Sequence, residues 1–332
     1  MVWLNANEFP GGPPSAAITA MTKVLNQSNR YHYEEFASFL STLAEDLNLT
    51  PDKILVGAGS TEVLHCAIEA FVNPKSPFLT AWPTFEAGAE LTAAKGYGVV
   101  KVPLTDNYSA DVQRLAQAAH RAGGGLIYIC NPNNPTSSIT PKQDIRWLVD
   151  HLPDNTYLLI DEAYIHFANS EGIGSAVEFV QSNKNVIVLR TFSKIYGMAG
   201  LRVGLAMARP ELIARMTPYR NNVISILGVR AVLAALNLGP KFLDQRRGSI
   251  ARTRSAFTAW CKEKGVQYIE PHANFVMIET IRDVRELGPA LLAKGIAVGR
   301  PFPPFYNKMR ISVGADDDME KFKAAFSELL GL

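Results

Sequence analysis

Tyr157-Leu-Leu-Ile-Asp-Glu-Ala-Tyr164 and Val186-Ile-Val-Leu-Arg-Thr-Phe-Ser-Lys194 decide the fold. Each begins as a short apolar run (157–160 and 186–189), the mark of a strand buried on both faces, and each turns polar at its carboxyl end. Outward from this pair the pattern repeats. Leu126–Cys130 reads as a strand followed by Asn131-Pro-Asn-Asn-Pro-Thr136, and Phe78–Trp82 and Gly98–Val102 read as two more. Lys53–Val56 reads as a strand before Gly57-Ala-Gly-Ser-Thr61, after which Val63, Leu64, Ala67, Ile68 and Phe71 recur at helical spacing. Asp144–Leu152 carries Ile145, Leu148, Val149 and Leu152 on one helical face. Strands alternating with helices predict the α/β class, a mostly parallel central sheet covered by helices. Past residue 225 the pattern changes to a helix-rich stretch over 226–264, strand-like runs at Ala273–Glu279, Ile296–Val298 and Met309–Val313, and a final helix over Asp318–Leu330. The predicted organisation is a large domain over 30–225 and a smaller α+β domain built from 226–332 with an N-terminal arm, 1–29.

Composition narrows the possible roles. The chain has 332 residues, 47% of them hydrophobic, which suits two lobes better than one core. Basic and acidic residues nearly balance, 33 against 31, so neither nucleic acid nor membrane is an expected partner, and a small anionic ligand fits. The three cysteines, Cys66, Cys130 and Cys261, are far apart and form no CxxC pair, so a reduced, cytoplasmic chain is expected. No metal site is expected, because none of the six histidines stands at ligand spacing from another His or a Cys. No apolar run reaches the roughly 18 residues of a membrane span. The opening Met-Val-Trp-Leu-Asn has no basic segment before an apolar one, so no signal peptide is expected.

Ligands of open α/β sheets bind beyond the carboxyl ends of the strands, so the residues after each run form the candidate site. The small residues 57–61 precede a helix, where backbone N–H groups can face an anion. The Asn131–Thr136 turn adds amide side chains, Asp161 a carboxylate and Lys194 an amine. This set is what pyridoxal 5'-phosphate requires. An amine forms the Schiff base and shuttles the proton, and a carboxylate keeps the pyridine nitrogen protonated. Hydroxyls, amides and an arginine hold the phosphate.

In these motifs and their order the chain resembles the fold-type I, class I/II pyridoxal-phosphate aminotransferases, and within them the histidinol-phosphate aminotransferase group. The resemblance spans nearly the whole chain. It rests on Val2–Glu8, Asn131–Thr136, Asp161–Tyr164, Thr191–Lys194 with Ala199–Arg202, and Met309–Gly314. It implies that Lys194 is the catalytic lysine and binds the cofactor covalently. Asp161 would pair with the ring nitrogen, Asn134 and Tyr164 with the ring O3′, and Phe85 would stack on the ring. Ser193, Arg202, Ser60 and Thr61 would hold the phosphate, and Tyr31 would reach the phosphate of a neighbouring subunit in a homodimer. Arg310 would bind the anionic end of the substrate.

Some positions depart from that pattern: Ser137 stands where the family usually has Gly, Phe85 where Tyr is common, and Thr61 where an acid is frequent. An upstream Tyr-containing arm is absent from this chain. Val298-Gly-Arg-Pro-Phe-Pro-Pro304 resembles a side branch of the group.

Each residue also has a plainer reading. Lys194 alone is a surface lysine and Asp161 a helix cap; their shared sheet edge favours the cofactor roles. Gly57–Glu62 lacks the third glycine of a dinucleotide fingerprint, and Leu79 sits near where its acid belongs. Tyr31 and Phe85 are either site residues or packed aromatics. Asn7 and Asn274 either line the substrate pocket or serve a turn or cap, and Arg300 is a second anion contact or faces solvent. His32, His65 and His166 read as local structural residues.

The implied reaction is transamination between an amino donor and a 2-oxo acid, in the first place histidinol phosphate with 2-oxoglutarate, with aromatic or other amino acids next. A decarboxylase or lyase of the same fold is the second reading. A cofactor-sensing domain of a transcription regulator is the third, disfavoured because the fold starts at residue 1 with no DNA-binding segment before it.

Overall fold

The computed structural model describes residues 1–221 and 224–332. Its strands are β1 (Val2–Leu4), β2 (Ile54–Gly57), β3 (Phe78–Trp82), β4 (Val99–Pro103), β5 (Gly125–Cys130), β6 (Thr156–Asp161), β7 (Val186–Thr191), β8 (Gly204–Met207), β9 (Phe275–Glu279), β10 (Ile296–Val298) and β11 (Lys308–Ser312). Seven of them form the central sheet in the order β2-β8-β7-β6-β5-β3-β4. β7, β6, β5, β3 and β4 run parallel, and β8 runs antiparallel to both β7 and β2. The expected α/β class and mostly parallel sheet are what the chain adopts. β5 is buried at every position and β6 and β7 nearly so, as strands covered on both faces must be.

Two cores form. The larger surrounds the seven-stranded sheet. The second is built from Val2 and Leu4 of β1, Phe257 and Cys261, Val276 and Ile278 of β9, Met309 and Ile311 of β11, and Phe322 and Phe326 of the last helix. Here β1 pairs in parallel with β10, and β9 pairs antiparallel with β11, so the chain's first strand is built into its last third. The helices Ser15–Val24 and Ile226–Leu236 instead bury Ala17, Val24, Val229 and Val232 in the larger core. Among the described residues no single helix is long and apolar enough to cross a membrane.

Two strands are absent from the sequence expectation, β1 within the N-terminal arm and β8, and β8 is the one that bears on the site. Its four residues follow the irregular segment 192–203 and carry no alternation to mark them. It matters because Gly204 at its start lies against the helix that begins at Ser60. A Cβ at 204 would stand 2.2 Å from the Ser60 nitrogen. Gly204→Ala is therefore expected to push that helix end outward and lower stability by about 1–3 kcal/mol. The check is the midpoint of urea unfolding, and an unchanged midpoint would contradict this close packing.

Candidate active site

The carboxyl ends of β5, β6 and β7 meet the start of the Ser60–Phe71 helix around one cavity of about 250 Å3. Lys194, Asp161, Asn134 and Tyr164 line its centre, and Ser60, Thr61, Ser193 and Arg202 line one end. Phe85 forms another part of the wall. Nine residues singled out in the sequence thus converge on one space.

The polar end is built for an anion. Gly59 has φ 83 and caps the helix, so the chain turns without side-chain hindrance; a Cβ there would lie 2.2 Å from Arg202 Nη2. Arg202, itself at φ 54, donates from Nη1 to Ser193 Oγ (3.3 Å) and Ala199 O (3.0 Å), and from Nη2 to Ala58 O (3.3 Å). A guanidinium, the hydroxyls of Ser60, Thr61 and Ser193, and a helix N-terminus all face the same end.

At the centre, Asp161 is buried. Its Oδ2 accepts from Tyr128 Oη and its Oδ1 from the Ala163 N–H, both at 3.0 Å. Burial pushes its carboxyl up to about 6, opposed by those two hydrogen bonds and by the charge of Lys194. Lys194 Nζ donates to Ala6 O at 3.0 Å. Burial, then the neighbouring charge of Arg310, brings its amine down to about 8. A lysine so shifted holds far more neutral, nucleophilic amine near neutral pH than an ordinary lysine does. Burial also raises the Tyr164 phenol, whose oxygen accepts from Asn7 Nδ2 at 3.2 Å.

Arg310, on β11, donates from Nη1 to Asn134 Oδ1 at 2.6 Å and from Nη2 to Asn5 O. Its Nε has no partner, and no carboxylate pairs with it among the described residues. Burial draws its basicity down to about 10. A buried guanidinium held only by neutral acceptors is an incomplete ion pair, and an anion beside it would complete the pair.

None of the three expected substrate contacts lines the cavity itself: Arg310 stands behind Asn134, and the other two sit farther back. Asn7 and Asn274 are buried but absent from the cavity lining. Asn7 holds Tyr164 Oη and accepts from Ser312 Oγ at 2.9 Å, and Asn274 Nδ2 donates to Asn7 O (3.0 Å) and Glu8 O (3.3 Å). They fasten the arm to the wall, and it is their neighbours Ala6 and Glu8 that line the cavity. Tyr31 is 71% exposed, stacked on Tyr33 at 5.2 Å, and outside the cavity of its own chain. Arg300 pairs with Glu86 and lies 4.3 Å from the Phe302 ring, beside a separate cavity. Tyr128 went unnoticed in the sequence. The available signal was a tyrosine inside an otherwise aliphatic strand, whose hydroxyl must find a buried partner.

The donor set fits pyridoxal phosphate: an anion cradle at one end, a buried carboxylate and an amine at the centre, and aromatic walls from Phe85 and Tyr164. The description "aminotransferase class I and II" matches residues 1–329. The chain is 33% identical over 334 residues to a histidinol-phosphate aminotransferase of Symbiobacterium thermophilum, covering 100% of this chain and 91% of that one. It is 29% identical over 333 residues to an aromatic amino acid aminotransferase of Cutibacterium acnes, covering 98% and 92%. A solved histidinol-phosphate aminotransferase from Sinorhizobium meliloti, in complex with pyridoxal-5'-phosphate, superposes with a TM-score of 0.92 at 28% identity, covering 99% and 90%.

Proposed function

Because the chain belongs to the class I and II aminotransferases, pyridoxal-phosphate enzymes, we propose that it transfers the amino group of histidinol phosphate to 2-oxoglutarate. The observation that carries this reading is Arg310, a buried cation without an acid among the described residues, which lies directly behind the cavity wall and bonds to Asn134, a residue of that wall. A phosphate or a carboxylate on the donor would supply the missing charge. The relatives that act on histidinol phosphate favour the phosphate.

When bound, the pyridoxal ring supplies an electron sink for the carbanion left on the donor's α-carbon. The chain's residues do the rest. Lys194 Nζ would hold the cofactor and, once the donor's amine has displaced it, would act as the free base that takes and returns the proton. Asp161 keeps a proton on the ring nitrogen, and Asn134 and Tyr164 hydrogen-bond the ring oxygen. Arg202, Ser193, Ser60 and Thr61 would anchor the phosphate, Phe85 would stack on the ring, and Arg310 would orient the donor.

A second reading, an aromatic amino donor, is favoured by the aromatic surfaces at Arg310: its guanidinium lies 5.6 Å from the Phe275 ring and 4.7 Å from Phe302. The lobe division at 30–225 against 1–29 with 226–332 stays part of the proposal. The second core supports it, and the helices Ser15–Val24 and Ile226–Leu236 are its junction with the large lobe. A cytoplasmic homodimer completes the proposal, with Tyr31 serving the partner's site; its exposure supports that role.

The test is the absorption spectrum of the cofactor-loaded protein as histidinol phosphate, glutamate, aromatic amino acids, arginine and phosphothreonine are added singly. Histidinol phosphate is expected to convert the visible band to the shorter-wavelength band of the aminated cofactor, and 2-oxoglutarate to restore it. Conversion by aromatic donors alone would establish the second reading. Release of carbon dioxide or ammonia without conversion would overturn both in favour of a decarboxylase or lyase.

A further inference from the structure

Tyr128 touches neither end of the cavity, yet it is fully buried and holds one oxygen of Asp161. The register of β5 on β6 pairs Cys130 with Asp161 and Tyr128 with Leu159. Tyr128 and Cys130 therefore share a face, and the phenol reaches Asp161 along the diagonal. The ring cannot swing away. Phe78 packs on it at 5.8 Å between centroids, and a Cβ at Gly88 would stand 2.7 Å from Phe78 Cζ, so the helix over that ring is closely fitted too.

We infer that Tyr128 is a positioning residue for the cofactor: its hydroxyl fixes the Asp161 carboxylate and keeps it ionised, leaving that carboxylate free to bind the ring nitrogen. The inference rests on the pyridoxal-phosphate reading of the cavity. The physical reason is the accounting of donors. A buried carboxylate stays charged only while donors or cations face it. Asp161 has two donors, the Ala163 N–H on Oδ1 and the phenol on Oδ2. The titratable groups facing it are Tyr128 and Cys130 from β5, Lys194 after β7, Tyr164, and Glu162 beside it. Lys194 is committed to the cofactor, so the Ala163 N–H and the phenol are the donors that persist through the reaction, and the phenol is the one on Oδ2. A carboxylate turned or neutralised by the loss of that hydrogen bond would hold the ring proton less well.

The experiment is a double-mutant cycle with Tyr128→Phe, Asp161→Asn and the pair. Phe keeps the packing and removes only the hydroxyl. Two quantities are read on the loaded protein: the Kd of pyridoxal phosphate and the pH midpoint of the visible absorbance. Tyr128→Phe is expected to raise Kd about 10- to 100-fold, the usual weight of a hydrogen bond to a charged group, and to move the midpoint in the same direction as Asp161→Asn. In the pair, Tyr128→Phe is expected to add nothing to Asp161→Asn. A third quantity needs no cofactor: the pH at which the unloaded protein loses stability to urea, expected to move upward in Tyr128→Phe and not to respond to it in the Asp161→Asn background. Unchanged Kd, midpoint and pH response in a folded Tyr128→Phe protein would overturn the inference. So would additive effects in the pair, which would mean that the Tyr128 hydroxyl acts independently of Asp161. If no donor is transaminated, the proposed function fails while the urea titration still decides the role of Tyr128.

Discussion

Lys194→Ala is expected to bind pyridoxal phosphate without covalent attachment and to lower kcat/KM by at least about 10³-fold. A positioned general base alone accounts for about 10²–10⁴-fold. The same amine is the proposed anchor of the cofactor, so both contributions would go together. Spectrum and activity separate the two. The band of the covalently bound cofactor should be missing in the variant, and small primary amines added to solution should restore part of the proton transfer but none of the attachment. A second signature lies in stability. The amine is lowered to about 8 in the folded chain from an ordinary 10.5, so between those values the unfolded chain binds more protons than the folded one. Stability of the unloaded protein therefore rises with pH across that window, and Lys194→Ala should flatten the rise. A variant that kept the wild-type spectrum would remove Lys194 from the site altogether.

How much of this was legible beforehand follows from chain order. Asp161, Lys194 and the Asn131–Thr136 turn needed only the rule that parallel strands present their carboxyl ends to the ligand, and the cavity lies there, whereas Asn134 and Ser193 were singled out by the family resemblance. What failed to show in the sequence depends on contacts between distant segments. β8 enters the sheet from the far side of the 192–203 segment, and no periodicity announces a strand that short. Asn7 is 305 residues from Ser312 and yet bonds to it, so its role as a brace was set by the docking of the arm. Local spacing could not separate it from its neighbours Ala6 and Glu8, which are the ones that line the cavity. Ser137 shows the same limit. The departure from glycine was plain in the sequence. What supports a serine at φ 63 is its hydroxyl, which accepts from the His272 and Ala273 amides at 3.1 and 2.8 Å. That compensation comes from the other end of the chain.

Asp161→Asn should separate function from stability. The amide cannot hold a proton on the ring nitrogen by charge, and loss of one such electrostatic contact lowers kcat by about 10²–10³-fold. The loaded enzyme is expected to fall by that amount. The unloaded protein should respond differently. In the folded chain the carboxyl is raised to about 6 from 3.8, chiefly by burial. Between those values the folded state holds more protons than the unfolded one. The stability this group contributes is thus complete below pH 3.8 and is lost as pH climbs through 6. The loss is on the order of 2–3 kcal/mol, at 1.36 kcal/mol per unit. Asn has no such titration, so urea midpoints that decline from pH 4 to 7 in the wild type should decline less in the variant. The gain is partial, because an amide has one acceptor oxygen where the carboxylate served both Tyr128 and Ala163. A variant with lower activity and a flatter pH response would mean that the folded chain carries a buried charge it would be more stable without, retained for the ring nitrogen it meets. Equal pH responses in the two proteins would instead place Asp161 in an environment polar enough to keep it charged without strain, and its pairing with the cofactor would then need no help from Tyr128.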